Sequence, residues 1–287
     1  MKSIQIQLTT KCNQRCYMCR KYTWKHKEID FDILKEKIEK YKDCTFTFSG
    51  GDPLEYSKLD ELVNLLLKNN IVYQIFTNLN YNLNDNMEKF LDGAKYIQVS
   101  MDGSNYAVYE SVRRPVKNGF YTVEYNIKKY KNKIKLNCTV SKRNYFDVYN
   151  IYQKFKDKVM AVRFFPVHTD EDAKLETYML EFISNQFNED CKAIPDCIKL
   201  LFEDRPTYNG KCYVKKEHRV IDESGKEYPC CRAINDNGED WDGKNCIDNL
   251  SCIEQEDALY DFCYQCDRYR KFNMNWDKYE NSEEVFL

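Results

Sequence analysis

Chain breakers are scarce: nine glycines and six prolines, fifteen together in 287 residues. That scarcity excludes collagen-like and Gly/Pro-rich disordered chains, and the length excludes a small disulfide knot. Long apolar runs are missing as well. No stretch approaches the ~18 apolar residues of a membrane helix. The first residues, Met1-Lys2-Ser3-Ile4-Gln5-Ile6-Gln7-Leu8, alternate like a strand and offer no signal-peptide core. A cytoplasmic protein with no membrane partner is expected. Nor does charge of one sign prevail: 44 basic against 46 acidic residues, net −2, leave no electrostatic footprint for nucleic acid. What is abundant is cysteine, 14 residues or about one in twenty. In a reducing compartment such thiols point to metal or catalytic roles before disulfides. With 43% hydrophobic and 15% aromatic residues the chain can fill a sizeable core. Its length suits one large α/β domain, or one domain with a small appendage.

Up to about residue 190 strand and helix patterns alternate with short connections. Ser3 to Leu8 reads as a strand, and Phe31, Leu34, Ile38 and Tyr41 repeat at helical spacing. Thr45-Phe46-Thr47-Phe48 is a second strand, broken at Ser49-Gly50-Gly51-Asp52-Pro53. Leu59, Leu62, Val63, Leu66 and Leu67 match the stripe of a core-facing helix. Further strands are expected at 72–77, 96–101, 135–140 and 159–165, and helices at 85–91, 121–130, 146–155 and around 175–187. Six strands alternating with helices predict a parallel sheet, open or curled into a partial barrel. Such folds carry their chemistry in the loops after the strands, and the unusual residues of this chain sit there. From residue 191 onward the pattern fades and nine of the 14 cysteines gather between Cys191 and Cys266, so 191–287 is expected to be a metal-stapled appendage.

Cys12, Cys16 and Cys19 follow the first strand with gaps of three and two residues. Three thiolates on so short a loop can grip three irons of a [4Fe-4S] cluster, leaving the fourth iron open. Open metal positions are where substrates and cofactors bind. The competing reading is structural zinc completed by a distant ligand such as His26, although structural zinc prefers two cysteine pairs.

This Cys-x-x-x-Cys-x-x-Cys loop resembles the signature of the radical S-adenosylmethionine (SAM) superfamily, with an aromatic, Tyr17, two residues before the last cysteine. Gly50-Gly51-Asp52-Pro53 resembles the family's Gly-Gly-Glu-Pro motif, with Asp for Glu; Thr77-Asn78 stands where members often carry Thr-Asn-Gly, here with Leu79 for Gly. Ser100-Met101-Asp102-Gly103 resembles the family's Ser-x-Asp-Gly segment, and Arg113 or Arg114 is similar in placement to the Arg that pairs with the SAM carboxylate. The resemblance covers residues 1 to about 165. It implies a partial (β/α)6 TIM-type barrel over residues 1–190 and a cluster on Cys12, Cys16 and Cys19. It also implies SAM contacts from Gly50, Gly51, Asp52, Pro53, Asn78, Ser100, Asp102 and Arg113. The activity it implies is reductive cleavage of SAM to a 5′-deoxyadenosyl radical, fed by an electron donor such as flavodoxin or ferredoxin.

Cys212 is followed after twelve residues by Gly225 and after four more by Cys230, and Cys263 and Cys266 come later. Two separated pairs make a closed knuckle that suits either zinc or a fully ligated Fe–S cluster. The spacing resembles the auxiliary-cluster region of radical SAM enzymes with a SPASM domain, in the shortened twitch form of 2-deoxy-scyllo-inosamine dehydrogenase and aminoglycoside epimerases. That resemblance implies a second [4Fe-4S] cluster on Cys212, Cys230, Cys263 and Cys266, with Cys231 as an alternative to Cys230. Cys44 and Cys138 read as small buried hydrophobes. Cys191, Cys197, Cys246 and Cys252 read as packing, though one thiol could return a hydrogen to a substrate radical.

The radical outcome is then dehydrogenation or epimerisation, with Arg163 and His168 as candidates to take a proton. The barrel begins at residue 3, which leaves no room for a leader-binding domain before it. A small polar substrate is therefore expected, an amino sugar, sugar nucleotide or cyclitol, with peptide modification as the alternative reading. A non-catalytic zinc-binding interaction protein is the rival from another class.

Overall fold

The structure, a computed structural model, describes residues 2–19, 25–115, 118–167, 174–188, 198, 201–202 and 218–228. The chain folds as two units, one of Met1–Lys11, Thr23–Tyr73 and Asp204–Leu287, the other of Cys12–Tyr22 and Gln74–Glu203. The expected boundary at residue 190 lies outside the described residues.

In the first unit β1 (Ser3–Thr9) pairs in parallel with β2 (Thr45–Gly50) on one side and with β7 (His218–Ile221) on the other, and β8 (Glu227–Tyr228) is antiparallel to β7. Alternation along β1 sends Ile4, Ile6 and Leu8, all fully buried, to one face and Ser3, Gln5 and Gln7 to the other. The polar face is paired internally: Ser3 Oγ lies 2.8 Å from His218 Nδ1, and Gln5 Nε2 donates to Ser49 Oγ at 2.9 Å. Helix α1 (Phe31–Lys40) starts at Asp30, whose carboxylate accepts from the Asp32 and Ile33 amides, and it buries Leu34 and Ile38. Helix α2 (Leu59–Lys68) buries Leu59, Leu62, Val63 and Leu66. Leu67, the fifth residue of the expected stripe, is instead 55% exposed, because it falls at the edge of the apolar face in the last turn.

Strands β7 and β8 are new relative to the sequence reading. They frame a tight hairpin that Asp222 organises. Its Oδ1 accepts from the Ser224 and Lys226 amides and the Ser224 hydroxyl, and its Oδ2 accepts from Tyr228. Gly225 turns the chain at φ +81°, and a Cβ there would meet Ile33 Cγ2 of α1 at 2.6 Å.

The second unit begins within β3 (Tyr73–Thr77), from Gln74 onward, and continues through β4 (Tyr96–Ser100), β5 (Ile134–Val140) and β6 (Ala161–Pro166), all parallel. Helices α3 (Asp85–Gly93), α4 (Tyr106–Arg113), α5 (Gly119–Tyr130), α6 (Val148–Phe155) and α7 (Thr177–Asn188) accompany these strands. Here too one sheet face is apolar, with Ile75, Ile97, Val99, Leu136 and Phe164 among its buried residues. The other carries a row of amides in which Asn137 donates to Gln98 at 2.8 Å and Gln98 to Gln74 at 3.1 Å. Helix α4 was not expected from the sequence. It buries Tyr109, Val112 and Arg113, and a charged residue in a core position hides the apolar stripe. Both units are thus parallel α/β, and among the described residues no helix is long and apolar enough to cross a membrane.

Leu79 sits at φ +54°, where a side chain costs about 1–2 kcal/mol, with its own side chain fully buried. Its amide donates to Thr77 Oγ1 and its carbonyl accepts from Asn126, which holds the turn in place. Leu79→Ala therefore loses about 2–5 kcal/mol of core packing. Leu79→Gly recovers the backbone strain, so in denaturant titration it should be no less stable than Leu79→Ala, the reverse of the order at an ordinary buried site.

In the first unit Glu227 of β8 receives Lys37, Lys40 and Tyr41 at 2.6–2.8 Å. Burial pushes its carboxyl up, but these three donors outweigh it and hold the pKa at about 2. A carboxyl depressed in the fold contributes stability above its unfolded value near 4.5 and loses it as pH falls toward 2. Glu227→Gln should lower the melting temperature at pH 7, and the gap to wild type should close progressively from pH 4.5 down.

Candidate functional site

The three-cysteine loop belongs to the second unit, where it is pinned to the C-terminal end of α4. The Tyr17 amide donates to the Val112 carbonyl at 3.1 Å and the Arg15 amide to the Arg114 carbonyl at 3.3 Å. Gln14 Nε2 donates to the Tyr109 hydroxyl at 2.8 Å, while Cys16 and Met18 pack with Val112 and Val167. Cys16 is buried; Cys12 and Cys19 are partly exposed.

Donors converge on two of the sulfurs. Cys12 Sγ accepts from the Gln14 amide at 3.4 Å and from Asn78 Nδ2 at 3.5 Å. Asn78 also donates to Asn13 Oδ1 at 2.8 Å, and Asn13 donates to the Asn80 carbonyl at 2.7 Å, so the end of β3 is stitched to the loop. Cys16 Sγ accepts from Arg113 at 3.6 Å. Burial pushes the Cys16 thiol up to about 11 despite the nearby Arg113 guanidinium, so the free thiol keeps its proton until a cation takes its place.

Behind Cys16 lies a buried ion pair. Arg113 Nε stands 2.6 Å from Asp102 Oδ2. Asp102 is fully buried, accepts from the Thr139 amide at 2.7 Å through Oδ1, and has its carbonyl capped by Asn144 Nδ2 at 3.1 Å. Burial raises the Asp102 pKa against the pull of Arg113, while Arg113 is held protonated by Asp102. The structure therefore brings Cys12, Cys16, Asn78, Asp102 and Arg113 together in one network. Ser100 ends β4 half-buried, and Gly103 is required by α4, since a Cβ there would lie 2.4 Å from the Tyr109 amide nitrogen.

In the first unit the Gly50-Gly51-Asp52-Pro53 segment packs on the chain's own backbone. A Cβ on Gly50 would meet the Thr9 carbonyl oxygen at 2.3 Å, and one on Gly51 the Lys11 carbonyl oxygen at 2.3 Å. Gly50 has φ +141°. The Gly51 amide donates to Thr9 O at 2.6 Å and the Asp52 amide to Lys11 O at 2.8 Å. Asp52, 1% exposed, accepts from the Leu54 amide and starts a single helical turn at Pro53–Glu55. These glycines serve a close approach of two backbone segments, a use the motif alone does not disclose.

Arg114, the alternative to Arg113, is an exposed helix cap at φ +45°, with its guanidinium 6.0 Å from the Tyr17 ring. Arg143 lies 4.5 Å from the same ring. The sequence reading missed Gln14, Asn13, Tyr109 and Asn144, whose only signal is an amide or hydroxyl beside a motif. Cys212, Cys230, Cys263, Cys266 and His168 lie outside the described residues.

The donor set fits a [4Fe-4S] cluster. Three thiols share one loop, and two of them already accept the hydrogen bonds that cluster sulfurs take from their surroundings. Among the described residues no three Cys, His, Asp or Glu side chains converge as a single metal ion requires. A cluster asks for a different arrangement, each thiolate on its own iron.

A parallel α/β chain with a three-cysteine loop after its first strand defines a class, the α/β proteins suited to carry an iron–sulfur cluster. The chain belongs to the radical SAM superfamily, whose sequence profile matches residues 6–149. It is 30% identical over 111 residues to a tungsten-containing aldehyde ferredoxin oxidoreductase cofactor-modifying protein of Pyrococcus furiosus, a match spanning 36% of this chain and only 31% of that one. A probable GTP 3′,8-cyclase of Methanococcus aeolicus is 27% identical over 233 residues, 72% of this chain and 73% of that one. Among solved structures, native anSMEcpe with bound AdoMet and Cp18Cys peptide shares the fold with a TM-score of 0.65 at 20% identity, over 93% of this chain and 86% of that one. Family membership brings a [4Fe-4S] cluster and SAM as expected cofactors.

Gly51→Ala forces a side chain against a carbonyl oxygen that no rotamer change can move. It should cost about 1–3 kcal/mol in denaturant titration, and Gly51→Ser should cost no less.

Proposed function

We propose that this radical SAM enzyme abstracts a hydrogen from a small polar substrate, an amino sugar, sugar nucleotide or cyclitol, and completes a dehydrogenation or an epimerisation. The observation that carries the radical chemistry is the Cys12–Cys16–Cys19 loop, with Asn78 and Arg113 donating to its sulfurs. When bound there, the cluster supplies the electron that cleaves SAM to a 5′-deoxyadenosyl radical. The chain's own part is to hold the loop on α4 through Gln14, Arg15 and Tyr17 and to bury Cys16 away from water. Gly50, Gly51, Asp52, Pro53, Asn78 and Ser100 remain the proposed SAM contacts, whereas Asp102, fully buried, and Arg113 are taken up by each other, by the Thr139 amide and by Cys16. The Asp52 and Asn78 side chains already hold backbone amides, at Leu54 and Asn80, and so present ordered backbone.

The second cluster is proposed on Cys212, Cys230, Cys263 and Cys266. What supports it is the β7–β8 hairpin with Gly225 at its turn, between Cys212 and Cys230 in sequence. An auxiliary cluster can accept the second electron of a dehydrogenation, whereas a thiol that returns hydrogen gives epimerisation. A flavodoxin or ferredoxin is the proposed electron donor.

Peptide modification is the second reading. It is favoured by the likeness to anSMEcpe, a structure that holds a peptide. The Methanococcus relative's name points to a nucleotide, which stays within the polar small-molecule class.

Protein purified without oxygen should be brown, carry about eight irons for two clusters, and form 5′-deoxyadenosine only with SAM and dithionite. Replacing Cys12, Cys16 and Cys19 with alanine should remove about half the iron and all the 5′-deoxyadenosine. Colourless protein with stoichiometric zinc and no SAM cleavage would sink the proposal. With candidate sugars, solvent deuterium in the product marks epimerisation, and a two-electron oxidised product marks dehydrogenation.

A further inference from the structure

We infer that Arg113 and Asp102 act as a positioning pair that sets the reduction potential of the cluster through Cys16, instead of Arg113 serving as a carboxylate clamp for SAM. This rests on the proposed assignment of the cluster to Cys12, Cys16 and Cys19. An arginine that binds a ligand carboxylate needs its planar fork free and accessible. Arg113 is 8% exposed, and its Nε is engaged by Asp102 at 2.6 Å. Its NH1 is directed at Cys16 Sγ, 3.6 Å away. The pair is fixed on every side. Arg113 ends α4, Asp102 follows β4, the Thr139 amide of β5 donates to the Asp102 carboxylate, and Asn144 caps the Asp102 carbonyl. The same helix end receives the Tyr17 amide at Val112, so guanidinium and ligating sulfur share one rigid support.

A hydrogen bond from a cation to a ligating sulfur withdraws electron density and favours the reduced cluster, one of the recognised levers on Fe–S potential. The Asp102 carboxylate works against it, returning negative charge to the same spot. Arg113 therefore raises the potential and Asp102 lowers it, and removing either moves the cluster in opposite directions.

The test is a redox titration followed by electron paramagnetic resonance on anaerobically reconstituted full-length protein. The signal that changes when SAM is added identifies the cluster concerned. Arg113→Gln should lower its midpoint, with the reduced-to-oxidised ratio at the wild-type midpoint falling about tenfold, equivalent to about 59 mV for one electron. Asp102→Asn should raise it, and Arg113→Lys, which keeps the charge, should lie between Arg113→Gln and wild type. Circular dichroism and iron content establish that each variant is folded and loaded. A purely structural role predicts loss of stability with the midpoint unmoved, so loaded Arg113→Gln and Arg113→Lys at the wild-type potential would overturn the inference alone. Full iron retained after replacing all three loop cysteines would overturn the cluster assignment, and this inference with it.

Discussion

Burial of one charge pair organises the second unit. Removing two charges from water costs several kcal/mol per ion, and the cost is offset only where geometry and further hydrogen bonds are good. Asp102 and Arg113 meet that condition by drawing in four separate pieces of chain. These are the end of β4, the C-terminus of α4, the amide of Thr139 on β5, and the cysteine loop through Cys16. None of these can shift without exposing an uncompensated charge to the core. The loop that carries three of the chain's thiols is thus held by the same contacts that keep the pair satisfied.

Close backbone approach is the second constraint, and it acts at the ends of strands. Gly50 and Gly51 let the chain leaving β2 lie against Thr9 and Lys11, the entry to the cysteine loop. At the end of β3 the chain takes a left-handed turn with a leucine where glycine is cheaper, and pins that turn with Thr77 and Asn126. Strain of this kind persists only where surrounding structure over-determines it. Here the turn positions Asn78 on Cys12 and Asn80 on Asn13.

Much of this was legible in the sequence, for identifiable reasons. The six strands and most helices follow from period-2 and period-3.6 patterns, which depend only on which face is buried. Helix α4 escaped because Arg113 occupies a core position, so its stripe reads Tyr109, Val112 and then a charge. Strands β7 and β8 are four and two residues long and carry Arg219 and Glu227, too short and too polar for a pattern to stand out. The site was legible as a set of motifs but not as a set of contacts. The glycine motif suggests room for a ligand, yet the nearest neighbour is the chain's own carbonyl groups. The arginine after Ser-Met-Asp-Gly suggests a free cation, yet its partner is the Asp of that same motif, eleven positions earlier in sequence and in direct contact in space.

That last pairing bears on why the buried cation has a carboxylate beside it at all. A lone arginine against Cys16 would leave an unpaired charge in a buried site, at a cost the unit could not easily carry. A neutral donor would avoid that cost but would give a weaker hydrogen bond to sulfur. The ion pair resolves the conflict. It is close to neutral seen from a distance, so it adds little net field to the core, while at short range it still presents a charged N–H to the sulfur. Asn78 solves the same problem at Cys12 with a neutral amide, and can do so because Cys12 is only partly buried and its surroundings tolerate a weaker donor. The two sulfurs differ in burial, and the chemistry of their donors follows that difference.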